Sequence, residues 1–351
     1  MTKEKETFMT QLATTQDKSL VLHTKMIQPW INVIGQVAPS SKQSYTFSAI
    51  TFHTWLLDHH FTLETVDRSG MIAYRDFLAA QHAKATAARK WSVACQLLRE
   101  CQALQQRDDY PAANLRGFTV DDASPHIALS HTEARDLLAA IDTTTLKGKR
   151  DYTMMYLLLR TGIRRAECAA LNLNDFVREQ GHTIMTIRHG KGDQRRKVKV
   201  PVDVFRTIEE YINALRQYHV VTMERKLAEL EQETSLDDET KDAKRQAIRQ
   251  HHTLSVDAPL FVGFDRGQHP TLERLTTKTI ERIVAVCGNA IGHPELTPHD
   301  LRTTFNTLSK KGGATLEQRQ HTMGHKRPET TQRYDRDKDN LDDSAVDYIK
   351  L

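Results

Sequence analysis

The sequence of 351 residues is poor in cysteine and has no long apolar run. Its cysteines are scattered without a Cys-x-x-Cys pair, which predicts reduced, buried thiols in a cytosolic protein. No apolar run approaches the length of a membrane span, and the first residues lead into no signal-like apolar core. We therefore expect a cytoplasmic protein with no membrane partner. The cysteines are Cys95, Cys101, Cys168 and Cys287.

A large excess of one charge is also absent, because 49 basic residues face 45 acidic residues and give a net charge of +4. This balance alone does not predict DNA binding, so the distribution of charge is more informative. Between His182 and Val200 there are six basic residues and one acidic residue, Asp193. Such a local concentration of cations attracts phosphate backbones. The six basic residues are Arg188, Lys191, Arg195, Arg196, Lys197 and Lys199.

Apolar periodicity and length predict a mainly α protein with a small β-sheet, divided into two domains (an α+β class). We expect a flexible N-terminus at 1–19, a helical domain at 20–110 and a linker at 111–128, which carries two prolines and a glycine. The second domain would span 129–351. Within it, a mixed-charge stretch at about 223–255 predicts a solvated helical insertion.

Local sequence patterns predict several helices and strands of the second domain. Ser130 followed by Glu133 is typical of a capping box at a helix start, and the apolar stretch 152–160 predicts a buried helix. Residues 183–187 and 197–200 alternate between apolar and polar like the two strands of a hairpin. The basic segment therefore lies on a predicted β-hairpin.

Two pairs of side chains, each three residues apart, are suited to hold a phosphate. Arg164 and Glu167 share one face of a predicted helix start, and His299 and Arg302 share another. A guanidinium group grips phosphate through paired N–H donors, and a carboxylate can orient it. A surface ion pair or a capping histidine shows the same spacing. Each pair therefore indicates a phosphate site only when other motifs accompany it. Competitors for the first arginine are Arg160 and Arg165.

Further residues could complete the cleavage of a phosphodiester without a metal. Lys191, between two glycines, could protonate a leaving alkoxide, and Tyr334 could be the nucleophile. His321 and His325 lie four apart, which is a possible zinc spacing, but no cysteine pair or nearby acid completes it. We therefore expect no metal. The alternative lysine and tyrosine are Lys197 and Tyr348.

The motifs follow one another as Thr161-Gly162-Ile163-Arg164, Gly190-Lys191-Gly192, His299-Asp300-Leu301-Arg302, Gly324-His325 and Tyr334. In this order they resemble the tyrosine recombinases, the family of lambda integrase, Xer and Cre. The resemblance is specific from about Thr161 to Tyr334. One motif departs mildly, because Met323 stands where the family usually has leucine before Gly-His.

The resemblance implies a role for each quoted side chain in binding the phosphate. Arg164 and Arg302 would both hold the scissile phosphate, and Glu167 would orient Arg164 or its surroundings. Two guanidinium groups aimed at the non-bridging oxygens stabilise the charge that grows in the transition state. His325 would donate a hydrogen bond to the same phosphate.

The resemblance also implies the covalent step. Tyr334 would attack the phosphate and leave a 3′-phosphotyrosyl link, with His299 donating a hydrogen bond or helping to manage the proton of the nucleophile. Lys191 would protonate the departing 5′ oxygen. Because the bond energy is conserved in the covalent link, no ATP or other cofactor is implied.

The function implied is that of a site-specific recombinase for integration, excision or resolution of DNA. Its partner would be double-stranded DNA with inverted-repeat sites, on which a homo-tetramer exchanges strands through a Holliday junction. Two alternatives stay open: a type IB topoisomerase-like enzyme, which shares the chemistry, and a non-catalytic DNA-binding protein, which needs no nucleophile.

DNA contacts are expected from both domains. The first domain would correspond to the helical core-binding domain of the family, and its basic residues lie at apparent helix starts or faces. A solvated face explains each of them almost equally well. The candidates are Lys42, Lys84, Arg89 and Lys90 in the first domain and Arg188, Arg195, Arg196 and Lys197 on the hairpin.

Overall fold

The computed structural model of the protein describes residues 20–37, 39–120, 126–188, 195–325 and 328–332. Most of these residues are helical and the strands are short, which confirms the predicted mainly α class with a small β-sheet. The chain divides between Asp122 and Ala123 into two compact units. No helix within the described ranges is long and apolar enough to cross a lipid bilayer.

Helices build the described part of the first unit. Asp67 begins the third helix by accepting a hydrogen bond from the backbone N–H of Gly70 (2.8 Å), as an N-cap residue does. Aromatic rings fill the core, where Trp55 contacts Tyr74 and Trp91 is buried. The helices are α1 (Leu20–Gly35), α2 (Pro39–Asp58), α3 (Arg68–Gln81) and α4 (Lys84–Ala103).

The second unit contains further helices and all the described strands. Its first helix begins with the predicted capping box, in which Ser130 and Glu133 each accept the other's backbone N–H. The helix at Leu146–Thr161 brings Met154, Leu157 and Leu158 into the centre of the core. The helices are α5 (His131–Ala139), α6 (Leu146–Thr161), α7 (Arg165–Ala170), α8 (Val202–Gln232), α9 (Asp238–His252), α10 (Thr277–Ala290), α11 (Pro298–Lys311), α12 (Leu316–Met323) and α13 (Pro328–Gln332).

Two small antiparallel sheets lie in this unit. Strands β1 (Phe176–Glu179), β2 (His182–Ile187) and β3 (Arg196–Val200) pair in that order, and β4 (Val262–Phe264) pairs with β5 (Pro270–Arg274). The predicted hairpin is confirmed as β2 and β3. The sequence did not predict β1 or the β4–β5 pair.

Strand β3 alternates between the core and the solvent. Val198 and Val200 are buried, whereas Lys197 and Lys199 are exposed. Because alternate residues of a strand face the same side, Arg196 lies on the face of the two buried valines. Its guanidinium group is therefore directed into the unit.

The mixed-charge stretch expected as an insertion lies in α8 and α9, which pack against each other. Arg245 of α9 donates to the carboxylate of Glu231 on α8 (2.7 Å). Between the helices, Nδ1 of His219 and Nδ1 of His252 lie 3.3 Å apart, and both residues are buried. Burial and then the charge of Lys226 lower the pKa of His252 to about 4. This histidine is therefore neutral at physiological pH, as its buried position requires.

Candidate active site

The turn from α6 to α7 positions Arg164. Gly162 ends α6 in the left-handed conformation with φ of 60°, and a Cβ at this position would lie 2.3 Å from the ring of Phe305. Only glycine fits such a turn without strain. Arg164 then begins α7, where its backbone N–H (2.8 Å) and its Nη1 (2.9 Å) both donate to the carboxylate of Glu167.

Glu167 holds two arginines at once. Its side chain is 2% exposed, and Arg196 donates to it through both Nη1 (2.8 Å) and Nη2 (2.7 Å). Such a two-pronged pair fixes the orientation of both groups. Burial raises the pKa of Glu167, but the hydrogen bonds and charge of Arg196, followed by those of Arg164, outweigh burial and leave the pKa below its ordinary value. Glu167 therefore stays ionised and orients Arg164.

Helix α11 carries the second predicted pair. Its start is a capping box, in which Thr297 and Asp300 accept each other's backbone N–H. Arg302, two residues further on, is 2% exposed and donates to the backbone oxygens of Gly162 and Met323, the latter at 2.7 Å. A buried charge is tolerated only with such partners, because desolvation otherwise costs several kcal/mol.

His325 contacts Arg302 directly. Nη2 of Arg302 lies 2.6 Å from Nε2 of His325. A guanidinium group only donates, so Nε2 accepts, and Nδ1–H donates to Oγ1 of Thr331 (2.7 Å) on α13. Burial, and then the charges of Arg302 and Arg164, lower the pKa of His325 to about 3. The imidazole is therefore neutral at physiological pH.

Gly324, before this histidine, is the second position where only glycine fits. It ends α12 with φ of 65°, and a Cβ there would come within 2.7 Å of Nε of Arg196. Arg196 also donates from Nε to the backbone oxygen of Thr322 (3.3 Å). The same guanidinium group thus contacts both the start of α7 and the end of α12.

His299 belongs to the same cluster. Burial, then the charges of His126 and Arg302, lower its pKa to about 4. Arg164 acts on the pKa of both His299 and His325, so the charges of both arginines reach both imidazoles. Two guanidinium groups beside two neutral imidazoles form a site that favours an anion.

Of the seven residues predicted for catalysis and its support, the structure brings five together. Arg164, Glu167, His299, Arg302 and His325 meet around one point. Within the described residues, no group of three or more metal-binding side chains comes together. The predicted acid and nucleophile lie outside the described residues; they are Lys191, between β2 and β3, and Tyr334, after α13.

Arg196 is the site residue that the sequence reasoning missed, because we expected it to contact DNA. Its side chain is 11% exposed and is engaged with Glu167. The strand alternation, with Val198 and Val200 on the same face, was the available signal. We therefore assign Arg196 to the support of the site in place of DNA contact.

The other expected DNA contacts differ in exposure. Lys84 and Arg89 on α4 are exposed, and Lys42 on α2 is half-buried. Lys90 is 2% exposed, so our expectation of DNA contact does not suit this side chain. Its Nζ donates to Oγ1 of Thr51 (2.6 Å) in the interior of the first unit.

On the hairpin, the remaining basic residues reach solvent. Arg195 is exposed, while Lys197 and Arg188 are exposed but paired with acids. Lys197 donates to Glu179 (2.6 Å), and Arg188 donates to Asp175 (2.5 Å). The exposed pair of Lys197 and Glu179 is weak enough to exchange for phosphate. Asp175 is buried, so Arg188 is held more firmly.

Comparison with known proteins identifies the family. The model of the phage integrase family matches residues 128–340, which include every predicted catalytic position. The chain belongs to the phage integrase family. Tyrosine recombinase XerD of Vibrio cholerae is 25% identical over 299 residues, covering 85% of this chain and 86% of that protein. Tyrosine recombinase XerA of Pyrococcus furiosus is 25% identical over 260 residues, covering 74% of each chain.

Solved structures of phage integrase relatives share the fold. The XerH site-specific recombinase bound to its difH substrate aligns with a TM-score of 0.59 at 18% identity, over 94% of this chain and 90% of that one. A lambda integrase tetramer bound to a Holliday junction aligns with a TM-score of 0.61 at 15% identity, over 91% and 78%. The predicted tyrosine-type site-specific recombinase is confirmed, and neither the topoisomerase-like nor the non-catalytic alternative is favoured.

In this phage integrase, the support from Arg196 can be tested by Arg196→Gln. The substitution leaves the buried carboxylate of Glu167 with Arg164 alone, so we expect the free energy of unfolding to fall by roughly 3 kcal/mol. The cleavage rate should fall by more than the loss of folded protein explains. The reason is that Glu167, the partner of Arg164, is no longer held in place by Arg196. Urea unfolding and single-turnover cleavage measure the two effects.

The matched control is Lys197→Gln, which changes the next residue of β3. Lys197 is exposed, so we expect its free energy of unfolding to change by no more than about 0.5 kcal/mol. Equal, small effects in the two variants would contradict the supporting role of Arg196.

Proposed function

We propose that this recombinase holds one scissile phosphate between Arg164 and Arg302 and cuts the strand with Tyr334. The observation that carries the proposal is the meeting of Arg164, His299, Arg302 and His325 from three segments far apart in the sequence. Arginines that are already held by carboxylate and carbonyl groups need little reorganisation when charge develops on the phosphate. Such preorganised donors are the largest source of rate in comparable sites.

The hydrogen bond between Arg302 and His325 is proposed to exchange when DNA binds. A phosphate oxygen is a stronger acceptor for Nη2 of Arg302 than an imidazole nitrogen is. His325 can then move its proton to Nε2 and donate to the phosphate, because the hydroxyl of Thr331 both donates and accepts and so supports either tautomer. His325 would thereby change from holding the arginine to binding the substrate.

The covalent step is proposed as an in-line exchange of one phosphorus–oxygen bond. The phenol oxygen of Tyr334 bonds to phosphorus, its proton passes to His299, and the bond to the 5′ oxygen breaks as Lys191 donates a proton to that oxygen. His299 is a weak base in the DNA-free site. A bound phosphate brings negative charge beside it and raises its pKa, which favours the transfer. The 5′-hydroxyl of a partner strand reverses the step.

The assembly is proposed by analogy with the relatives. XerH is described as bound to its difH substrate and lambda integrase as a tetramer bound to a Holliday junction. We infer for this chain a homo-tetramer on double-stranded DNA with inverted-repeat sites, exchanging strands through such a junction. A recombinase acts where DNA is, so we infer a cytoplasmic, nucleoid-associated location.

A substrate with sulfur in place of the bridging 5′ oxygen tests the proposed acid, Lys191. A thiolate leaves readily without a proton, whereas an alkoxide does not. Lys191→Ala should therefore cleave normal DNA roughly a hundredfold or more slowly, the range expected for a general acid, and should recover most of that loss on the sulfur substrate. Single-turnover cleavage of both substrates measures the rescue.

Two further variants complete this experiment. Tyr334→Phe should be rescued on neither substrate, because its defect is in attack and not in departure. Lys197→Ala changes an expected DNA contact and not the proposed acid, so any loss of rate should be the same on both substrates. Equal impairment of Lys191→Ala on both substrates would mean that Lys191 only positions DNA.

A further inference from the structure

A short segment before α5 is bonded to the helix that carries His299 and Arg302. The backbone N–H of Leu129 donates to Oγ1 of Thr304 on α11 (3.0 Å). Two residues before Leu129, the backbone N–H of Ile127 donates to Oδ1 of Asp300 (2.9 Å). The segment that enters the second unit is therefore fixed to α11 over one turn of the helix.

His126 begins this segment and adds a side-chain contact. Its Nδ1 lies 3.1 Å from Oδ1 of Asp300, whose side chain is 4% exposed. A carboxylate only accepts, so Nδ1 of His126 carries a proton. The other oxygen, Oδ2, accepts from both the backbone N–H (2.7 Å) and the hydroxyl (2.6 Å) of Thr297. Asp300 is thus held on both sides and in turn fixes the His126 ring.

The ring of His126 packs against the ring of His299. Their centroids are 4.1 Å apart and the planes are inclined by 60°, so an edge of one ring meets the face of the other. Aromatic pairs prefer this arrangement, which limits the rotation of both rings. His299 lies in the first turn of α11, next to Asp300, and contact with His126 is one constraint on its orientation.

Charge reinforces the contact. After burial, the charge of His126 is the largest cause that lowers the pKa of His299, ahead of Arg302 on the same helix and Arg164 from α7. Asp300 acts in the opposite direction. When His126 is protonated, its charge favours the neutral form of His299.

We propose that His126 is a positioning residue for His299: it holds the imidazole ring in the orientation in which the ring takes the proton of the attacking phenol. The proposal rests on the proposed role of His299. It adds a residue that lies outside the five family motifs, and it makes the segment that enters the second unit part of the support of the site.

Two variants separate the two contacts of His126. His126→Phe keeps a ring against His299 but loses the charge and the bond to Asp300. His126→Asn keeps a donor for Asp300 but loses the ring. The matched control is His131→Asn, an exposed histidine five residues further on. Each variant is assayed as full-length protein for DNA binding, thermal unfolding and single-turnover cleavage as a function of pH.

The expected results differ between the variants. In His126→Phe the pKa of His299 rises, because a neighbouring cation is lost, so the acidic limb of the cleavage profile moves to higher pH. NMR titration of the His299 ring should show the same direction. In His126→Asn cleavage should fall roughly ten- to a hundredfold at all pH values, because the base is misoriented. His131→Asn should match the parent, and DNA binding should change little in all three.

The proposal is overturned if both His126 variants keep the parent rate and pH profile. It is also overturned if their rates fall only in proportion to lost folded protein, with the pKa of His299 unmoved. His299→Ala separates this failure from that of the proposed function. A normal rate in His299→Ala removes the proposed base itself, whereas a large loss there beside normal His126 variants rejects only the role of His126.

Discussion

Tyr334→Phe is expected to bind DNA normally and to form no covalent adduct. The substitution removes one oxygen and keeps the ring, so it removes the proposed nucleophile with little effect on packing. Nothing else in the proposed chemistry can bond to phosphorus, so cleavage should fall by roughly 10⁴-fold or more, the loss seen when a nucleophile is deleted elsewhere. A nicked suicide substrate traps the adduct, which a denaturing gel then resolves from free protein.

Tyr348→Phe is the control, because it is the other tyrosine near the C-terminus. It should trap as much adduct as the parent. Adduct that persists in Tyr334→Phe, or whose peptide contains Tyr348, would refute the assignment of the nucleophile. Mass spectrometry of the trapped peptide distinguishes the two tyrosines directly.

Arg302→Lys is expected to have the second largest effect. Lysine keeps the charge but cannot reach the oxygens of Gly162 and Met323 and the imidazole of His325 together. Loss of its donors to the phosphate should slow cleavage by roughly 10²- to 10³-fold. Buried carbonyl groups left without a donor should lower the free energy of unfolding by about 1–3 kcal/mol. Single-turnover cleavage and urea unfolding measure the two losses.

Arg165→Lys provides the matched control. Arg165 lies at the start of α7 beside Arg164, is 43% exposed and pairs with Glu281, so its replacement should alter neither rate nor stability appreciably. A normal rate in Arg302→Lys would show that the buried guanidinium is only structural. A large loss of rate in Arg165→Lys would transfer the phosphate-binding role to that residue.

Much of the site could be predicted because spacing on a helix is a local property. Arg164 with Glu167, and His299 with Arg302, lie three residues apart, and each pair does start a helix as the sequence predicts. That the two helices meet was implied only by the family resemblance. The short strands β4 and β5 were missed, because β4 has only three residues and β5 begins with a proline, which is unfavourable within a sheet.

The environment of single cations could not be predicted from local pattern. Lys90 follows the exposed Arg89 on α4, but the packing of α4 against α2 turns it toward Thr51, 39 residues away. Arg196 lies in a basic run that favours solvent, yet a buried acid 29 residues earlier in the chain draws it inward. Both outcomes depend on the tertiary partner, which no window of sequence contains.

The bonds of Arg302 have a consequence for the order of events during synthesis. Its two backbone partners lie 140 residues before it and 21 residues after it. The ribosome must therefore release α12 before both carbonyl groups can hold this guanidinium. The proposed nucleophile, Tyr334, is synthesised later still. A chain that ends before α12 lacks one of these two partners and the proposed nucleophile, so we expect it to leave DNA uncut.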